Sequence, residues 1–282
     1  MSNLPTLDHT PNGPAYEGRL LERADEDVAD QGASFDLTTI ATRRTVLSLV
    51  GLGAGSVALA ACAADATPPT AMGEIPDETA GPFPGDGSNG PNVFEDTGIV
   101  RSDITSSLSG GLTAAGVPIT FTLTLKDMAN DNAPFESAAV YAWHCDAAGL
   151  YSLYSPGVEN ETYLRGVQVA DAAGEVTFTS VVPGCYSGRW PHVHFEVYPD
   201  LASISSASNA IATSQLALPE AMLDDVYALE TYDGAAANLS RITLASDSVF
   251  RDDGARLQMA RVTGDTSSGY SATLEVRVDT TT

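Results

Sequence analysis

Trp190-Pro191-His192-Val193-His194-Phe195-Glu196-Val197-Tyr198 alternates two kinds of side chain over nine residues. Successive side chains of a β-strand project to opposite faces, so residues two apart point the same way. Val193, Phe195 and Val197 therefore form an apolar face. His192 and His194 share the other, where two neutral imidazoles can converge on one metal ion. Pro191 falls at the strand start, where a missing N–H is tolerated. One strand thus serves both a core and a site.

The same period recurs on either side of this stretch. From Val117 to Lys126, Ile119, Phe121, Leu123 and Leu125 alternate with Thr120, Thr122, Thr124 and Lys126, the pattern of a half-buried strand. Residues 138–145, 163–169 and 176–181 continue the series, separated by turn signals at Ala147-Ala148-Gly149, Asp171-Ala172-Ala173-Gly174 and Pro183-Gly184. Strands at such spacing without intervening helical periods predict an all-β fold, a β-sandwich of mixed or antiparallel sheets with few short helices. Helix is expected weakly over 203–212, and over 219–229, where Pro219 suits a first turn and Glu220 the positive end of the helix dipole. Residues 256–262 and 270–278 predict a closing hairpin around Gly264-Asp265.

The first 61 residues read as an export leader. Arg43-Arg44 opens an uncharged stretch to Ala61, shorter than the roughly 20 apolar residues of a membrane span, in the manner of a twin-arginine signal. Leu59-Ala60-Ala61-Cys62 resembles a bacterial lipobox, in which cleavage leaves the cysteine as a lipid-bearing N-terminus; the alternative is an anchor that stays uncut. Residues 62–95, rich in Pro, Gly, Thr and acidic side chains, are expected to form an extended tether, with the sandwich domain over 96–282. The expected product is a lipoprotein at the cell surface or in the periplasm, or a secreted protein, touching membrane only through lipid on Cys62. Its oligomeric state stays open.

Formal net charge is −24, and removing residues 1–61, with four Arg and eight Asp or Glu, leaves −20. A surface this acidic, with Lys126 its sole lysine, excludes nucleic acid and anionic lipid as partners. Beyond Cys62 only Cys145 and Cys185 remain, which can close a disulfide in an oxidising compartment or stay as two separately buried thiols.

Tyr186 lies six residues before His192 in the turn-rich Pro183-Gly184-Cys185-Tyr186-Ser187-Gly188-Arg189, and Tyr151 follows the turn Ala148-Gly149-Leu150. Together with Glu78-Thr79-Ala80-Gly81-Pro82-Phe83, Arg101-Ser102-Asp103-Ile104, Trp143 and Arg165-Gly166, the spacing Tyr-x2-Arg-x2-His-x-His resembles the intradiol ring-cleavage dioxygenases, most closely their exported bacterial branch. The resemblance implies a mononuclear non-haem iron(III) held by Tyr151, Tyr186, His192 and His194. It makes Arg189 and Tyr186 catalytic, with Tyr186 released from the metal to take a substrate proton. The implied reaction is opening of a catechol by dioxygen to a cis,cis-muconate-type product.

The donor set supports that metal independently. A phenol with a pKa near 10 ionises at neutral pH only beside a strong positive charge, which ferric iron supplies. Zinc more typically takes His, Cys or carboxylate ligands, and iron(II) oxygenases two histidines and a carboxylate. Rival readings are a non-catalytic transthyretin-like module that binds aromatics or carbohydrate, and a structural site for another metal. His144 is expected to be structural, Trp190 either a pocket wall or packing, and Arg165-Gly166 either a tight strand contact or a support for the site, with direct substrate contact the minor alternative.

Overall fold

The structure, a computed structural model, describes residues 73–281 together with three short strands near the start: β1 (Asp8–Thr10), β2 (Gly13–Tyr16) and β3 (Arg19–Leu20), paired antiparallel in that order. Arg43-Arg44, the lipobox and Cys62 lie outside the described residues. No helix among the described residues is long and apolar enough to cross a membrane.

Two sheets form a sandwich. The first strand of the main body, β4 (Pro118–Asp127), pairs in parallel with the last, β12 (Gly269–Val278). Its other edge takes β8 (Glu175–Val181) and, further along, β5 (Ala133–Pro134), both antiparallel. β11 (Arg261–Asp265) completes this five-stranded sheet against β12. The second sheet is antiparallel in the order β10-β9-β6-β7, from β6 (Ala139–Trp143), β7 (Arg165–Val169), β9 (His192–Tyr198) and β10 (Ala212–Ala217). Two short helices, α1 (Glu220–Tyr227) and α2 (Ala235–Leu239), cover one end.

The alternation read in the sequence places the core. Ile119, Phe121, Leu123 and Leu125 are buried while the threonines between them are half-buried, and Phe121 stacks on its register partner Phe178 with ring centroids 5.1 Å apart. Val140 and Ala142 of β6 and Val193, Phe195 and Val197 of β9 face them across the sandwich in one cluster. Burying each such aliphatic or aromatic side chain contributes about 1.5–3 kcal/mol.

Three expectations change. The described part of the expected tether is extended but not free: Ile75, Phe83 and Val93 are buried, and Ile75 N–H donates to Arg277 while Glu78 N–H donates to Thr213. Its Pro and Gly residues turn the chain across the sandwich instead of spacing it away. Residues 203–212 form no α-helix. Two 3-10 turns, Leu201–Ser203 and Ala207–Asn209, lead into β10. Short polar side chains capture the local backbone there, with Asp200 Oδ1 accepting from Ser203 N–H and Ser206 Oγ from Ser208 N–H, and the open edge of β9 recruits residues 212–217 as a strand. The C-terminal hairpin forms, but β11 begins at Arg261, and Asp265 caps the turn by accepting from Ser267 and Ser268 N–H.

Cys145 and Cys185 are two free, buried thiols, the second of the alternatives left open. Their Sγ atoms lie 3.6 Å from the carbonyls of Gly184 and Arg189 respectively. Burial pushes the Cys185 thiol up to about 12.

Candidate metal centre

All seven residues of β9 are buried, the histidine face included. That face is covered by irregular chain: residues 78–86 cross over it, and the loop from Asp146 to Tyr154 closes beside it. Gly81 permits the crossing. Its φ of +71° is a left-handed conformation, and a Cβ built there would stand 3.3 Å from Cε1 of His194. Arg165 holds the crossing segment down. Fully buried, it donates to the carbonyls of Phe83, Pro84 and Ser152, to Ser152 Oγ and to Tyr141 Oη. Of the alternatives left open for Arg165, these bonds fit the support.

The two loops that carry the phenols are joined through Asp146. Its Oδ1 accepts from Ala148 and Leu150 N–H, its Oδ2 from Tyr163 Oη, and its carbonyl from Gly184 N–H. Gly149, at φ +81°, lets the first loop pass against Tyr186, whose Cβ would lie 3.0 Å from a Cβ at that glycine. Tyr151 is buried against Phe83, ring centroids 5.2 Å apart. Tyr186 is half-buried.

Four donor atoms meet as a result. Tyr151 Oη lies 3.4 Å from Tyr186 Oη, which lies 3.3 Å from His192 Nε2, which lies 3.0 Å from His194 Nε2. Two nitrogens each about 2.1 Å from a shared ion are that far apart when they subtend roughly a right angle. His192 donates from Nδ1 to the carbonyl of Trp190, which leaves Nε2 as the free lone pair. The Nδ1 of His194 is buried with no partner, and its ring stacks on Trp143 at 4.9 Å and 5°.

Electrostatics favour neutral imidazoles. Burial, then the Arg189 guanidinium, lowers His192 to about 3; burial, then His192, lowers His194 well below its ordinary value. Burial pushes the Tyr151 phenol far up, with the neighbouring Tyr186 adding to the effect. A phenolate there needs a strong local cation. Among the described residues no group of three or more His, Cys, Asp or Glu is placed to hold a metal, so a metal here depends on the phenols as well as the imidazoles. Two phenols and two imidazoles with converging lone pairs, one phenol unable to ionise unaided, fit ferric iron.

Arg189 stands beside this cluster, buried, with Nε 3.1 Å from Asp247 Oδ2 and an Nη donating to Gln215 Oε1 at 2.6 Å. Gln215 in turn donates to the carbonyl of Thr79 in the crossing segment. Asp247 and Gln215 were not singled out in the sequence: Asp247 lies 58 residues from its arginine, and no local spacing joins them. Gln215 faces His194 across the β9–β10 ladder, a signal that appears only once β10 is recognised as a strand. Trp190 packs in the core, Nε1–H donating to the carbonyl of Leu218, which fits the packing alternative. His144 lies elsewhere, its ring nitrogens bonded to the Cys145 carbonyl and Ser180 Oγ, and burial holds it down at about 4, which fits a structural histidine.

Residues 89–200 match the family model described as Dioxygenase. The match spans less than half of the chain. An intradiol ring-cleavage dioxygenase from Tetranychus urticae is similar in structure, with a TM-score of 0.56 and 24% identity over 75% of this chain and 96% of that one. A second dioxygenase crystal structure gives 0.54 and 23% over 66% and 89%. No curated protein gives a significant sequence match. The resemblance named from the sequence is thus met by a dioxygenase family match over residues 89–200 and by a sandwich fold similar to that of an intradiol ring-cleavage dioxygenase. The matched segment contains Tyr151, Tyr186, Arg189, His192 and His194.

Proposed function

We propose that the chain is an intradiol ring-cleavage dioxygenase that opens catechol-type diols with dioxygen to cis,cis-muconate-type products at a mononuclear non-haem iron(III). Tyr151, Tyr186, His192 and His194 would hold the metal. The observation that carries this reading is the chain of contacts from Tyr151 Oη through Tyr186 Oη and His192 Nε2 to His194 Nε2, each link 3.0–3.4 Å. When bound, ferric iron would supply a Lewis acid that takes both catechol oxygens and makes the ring reactive toward dioxygen.

The protein's part is set by position. Tyr186, the half-buried phenol, would be the one to accept a catechol proton on Oη, while the buried Tyr151 would stay in place. Arg189, its guanidinium fixed by Asp247 and Gln215, would stand beside the reacting ring, where charge develops. The segment 78–86, with Phe83 against Tyr151, closes one side of the cleft. Export by the twin-arginine route, with lipid on Cys62, completes the proposal; it rests on the leader's sequence alone.

Oxygen consumption by the purified protein across a panel of catechols, with products identified by mass and bound metal quantified, is the test. Catechol-dependent uptake of one dioxygen per ring, by a protein coloured by tyrosinate-to-iron charge transfer, supports it. Colourless material that takes up no oxygen even after iron reconstitution would leave a non-catalytic binding module in its place.

A further inference from the structure

We infer that Asp247 is a positioning residue whose single carboxylate sets both the electrostatic partner and one metal-binding imidazole of the site, an inference that rests on the function proposed above. Asp247 is fully buried, and its two oxygens collect four donors. Oδ2 accepts from Arg189 Nε at 3.1 Å and from Trp190 N–H at 2.6 Å, and Oδ1 from Val249 N–H at 2.8 Å and Phe250 N–H at 3.1 Å.

Three routes lead from these bonds to the cluster. The first is the guanidinium of Arg189, whose fork is fixed between Asp247 and Gln215. The second runs through the backbone of Trp190, whose N–H is held by Asp247 and whose carbonyl receives Nδ1 of His192. The third runs through Phe250, which Asp247 holds by its N–H and whose ring meets His192 edge-on, centroids 6.4 Å apart. A carboxylate out of water costs free energy unless paired and hydrogen-bonded. Here every donor it gathers belongs to a segment that frames the site, so the arginine is aimed by the fold and not merely neutralised.

Asp247→Asn tests this. An amide presents one acceptor oxygen and one N–H2, so it must abandon either the Arg189/Trp190 pair or the Val249/Phe250 pair. Outer partners of metal-site groups typically carry about 10–100-fold in activity or metal affinity. The expected result is a fall in kcat of about tenfold or more, with KM changed much less, iron content retained, and a displaced charge-transfer band in the visible spectrum of the resting protein. In combination with Arg189→Ala, the further fall in kcat caused by Asp247→Asn should be smaller than in the parent, because the route through Arg189 is already lost, while the displaced band that reports on His192 should persist. Unchanged kcat and an unchanged band in Asp247→Asn, or full additivity with Arg189→Ala, would overturn the inference.

Should Asp247→Asn fail to fold, Asp247→Glu keeps the charge but moves it by one methylene. It should lower kcat at constant iron content, and wild-type kcat in that variant overturns the inference equally. Absence of catechol-dependent oxygen uptake in the unaltered, iron-loaded protein would instead remove the functional reading itself.

Discussion

β4 and β9 are both interior strands of their sheets, yet β4 buries alternate residues and β9 buries every one. The five-stranded sheet turns one face to the core and leaves threonines and glutamates on the other, as in β8 with its exposed Glu175, Thr177 and Thr179. The four-stranded sheet has a second cover, made of the irregular segments 78–86 and 146–154. What separates the two is therefore not strand character but what lies on top. Covered by loops, a polar face becomes a buried site with displaced pKa values; left to solvent, the same kind of face is ordinary surface.

Substitutions on each side can break this contrast. The largest effect is expected at His192→Ala: loss of bound iron, of visible colour and of oxygen uptake together, with global unfolding shifted far less than by a core truncation. Normal turnover in that variant would end the proposed site. Phe178→Ala, on the stacked pair of the other sheet, should do the reverse, costing about 3–5 kcal/mol in denaturant unfolding while activity per folded, iron-loaded molecule persists. A variant that unfolds no more readily than the parent would show that the core pair is not close-packed.

A smaller effect is expected at Gly81→Ala. The left-handed backbone there costs a side chain about 1–2 kcal/mol, and the new methyl would press on His194. Stability should fall slightly and KM for catechol should rise, as steady-state kinetics would reveal; wild-type values for both would mean the segment yields freely. Least is expected of Glu78→Gln. Burial, then Asp252, raises Glu78 from 4.5 to about 8, against the pull of Arg189 and Gln258. The folded state thus holds this proton more tightly than the unfolded chain does. Its contribution is complete below about pH 4.5 and is lost as pH rises through about 8. Unfolding measured across that window should be flatter in the glutamine variant, and an identical pH profile would show that the carboxyl is not held protonated.

Much of the site was legible because its residues are local. His192 and His194 sit two apart on a strand, and Tyr186 and Arg189 lie within six residues of His192 on a turn. Tyr151 was legible only through the family resemblance, since nothing in its own neighbourhood fixes where its ring goes. β10 was missed because Ile211-Ala212-Thr213-Ser214-Gln215 lacks a clear strand period and its pairing comes from the edge of β9. The packing of residues 73–95 was missed for a related reason: a Pro- and Gly-rich stretch has the composition of a spacer whether or not a polar face needs covering.

Alternation of apolar and polar side chains determined by itself that this chain forms sheets with one buried face, and which two imidazoles share a side, because a strand's period is fixed by its backbone geometry. Only the tertiary structure decided that Tyr151 joins them and that Asp247 grips Arg189. Those pairs are separated by about forty and by 58 residues of chain, and side chains that far apart meet only when loops closed by the packed sandwich bring them together.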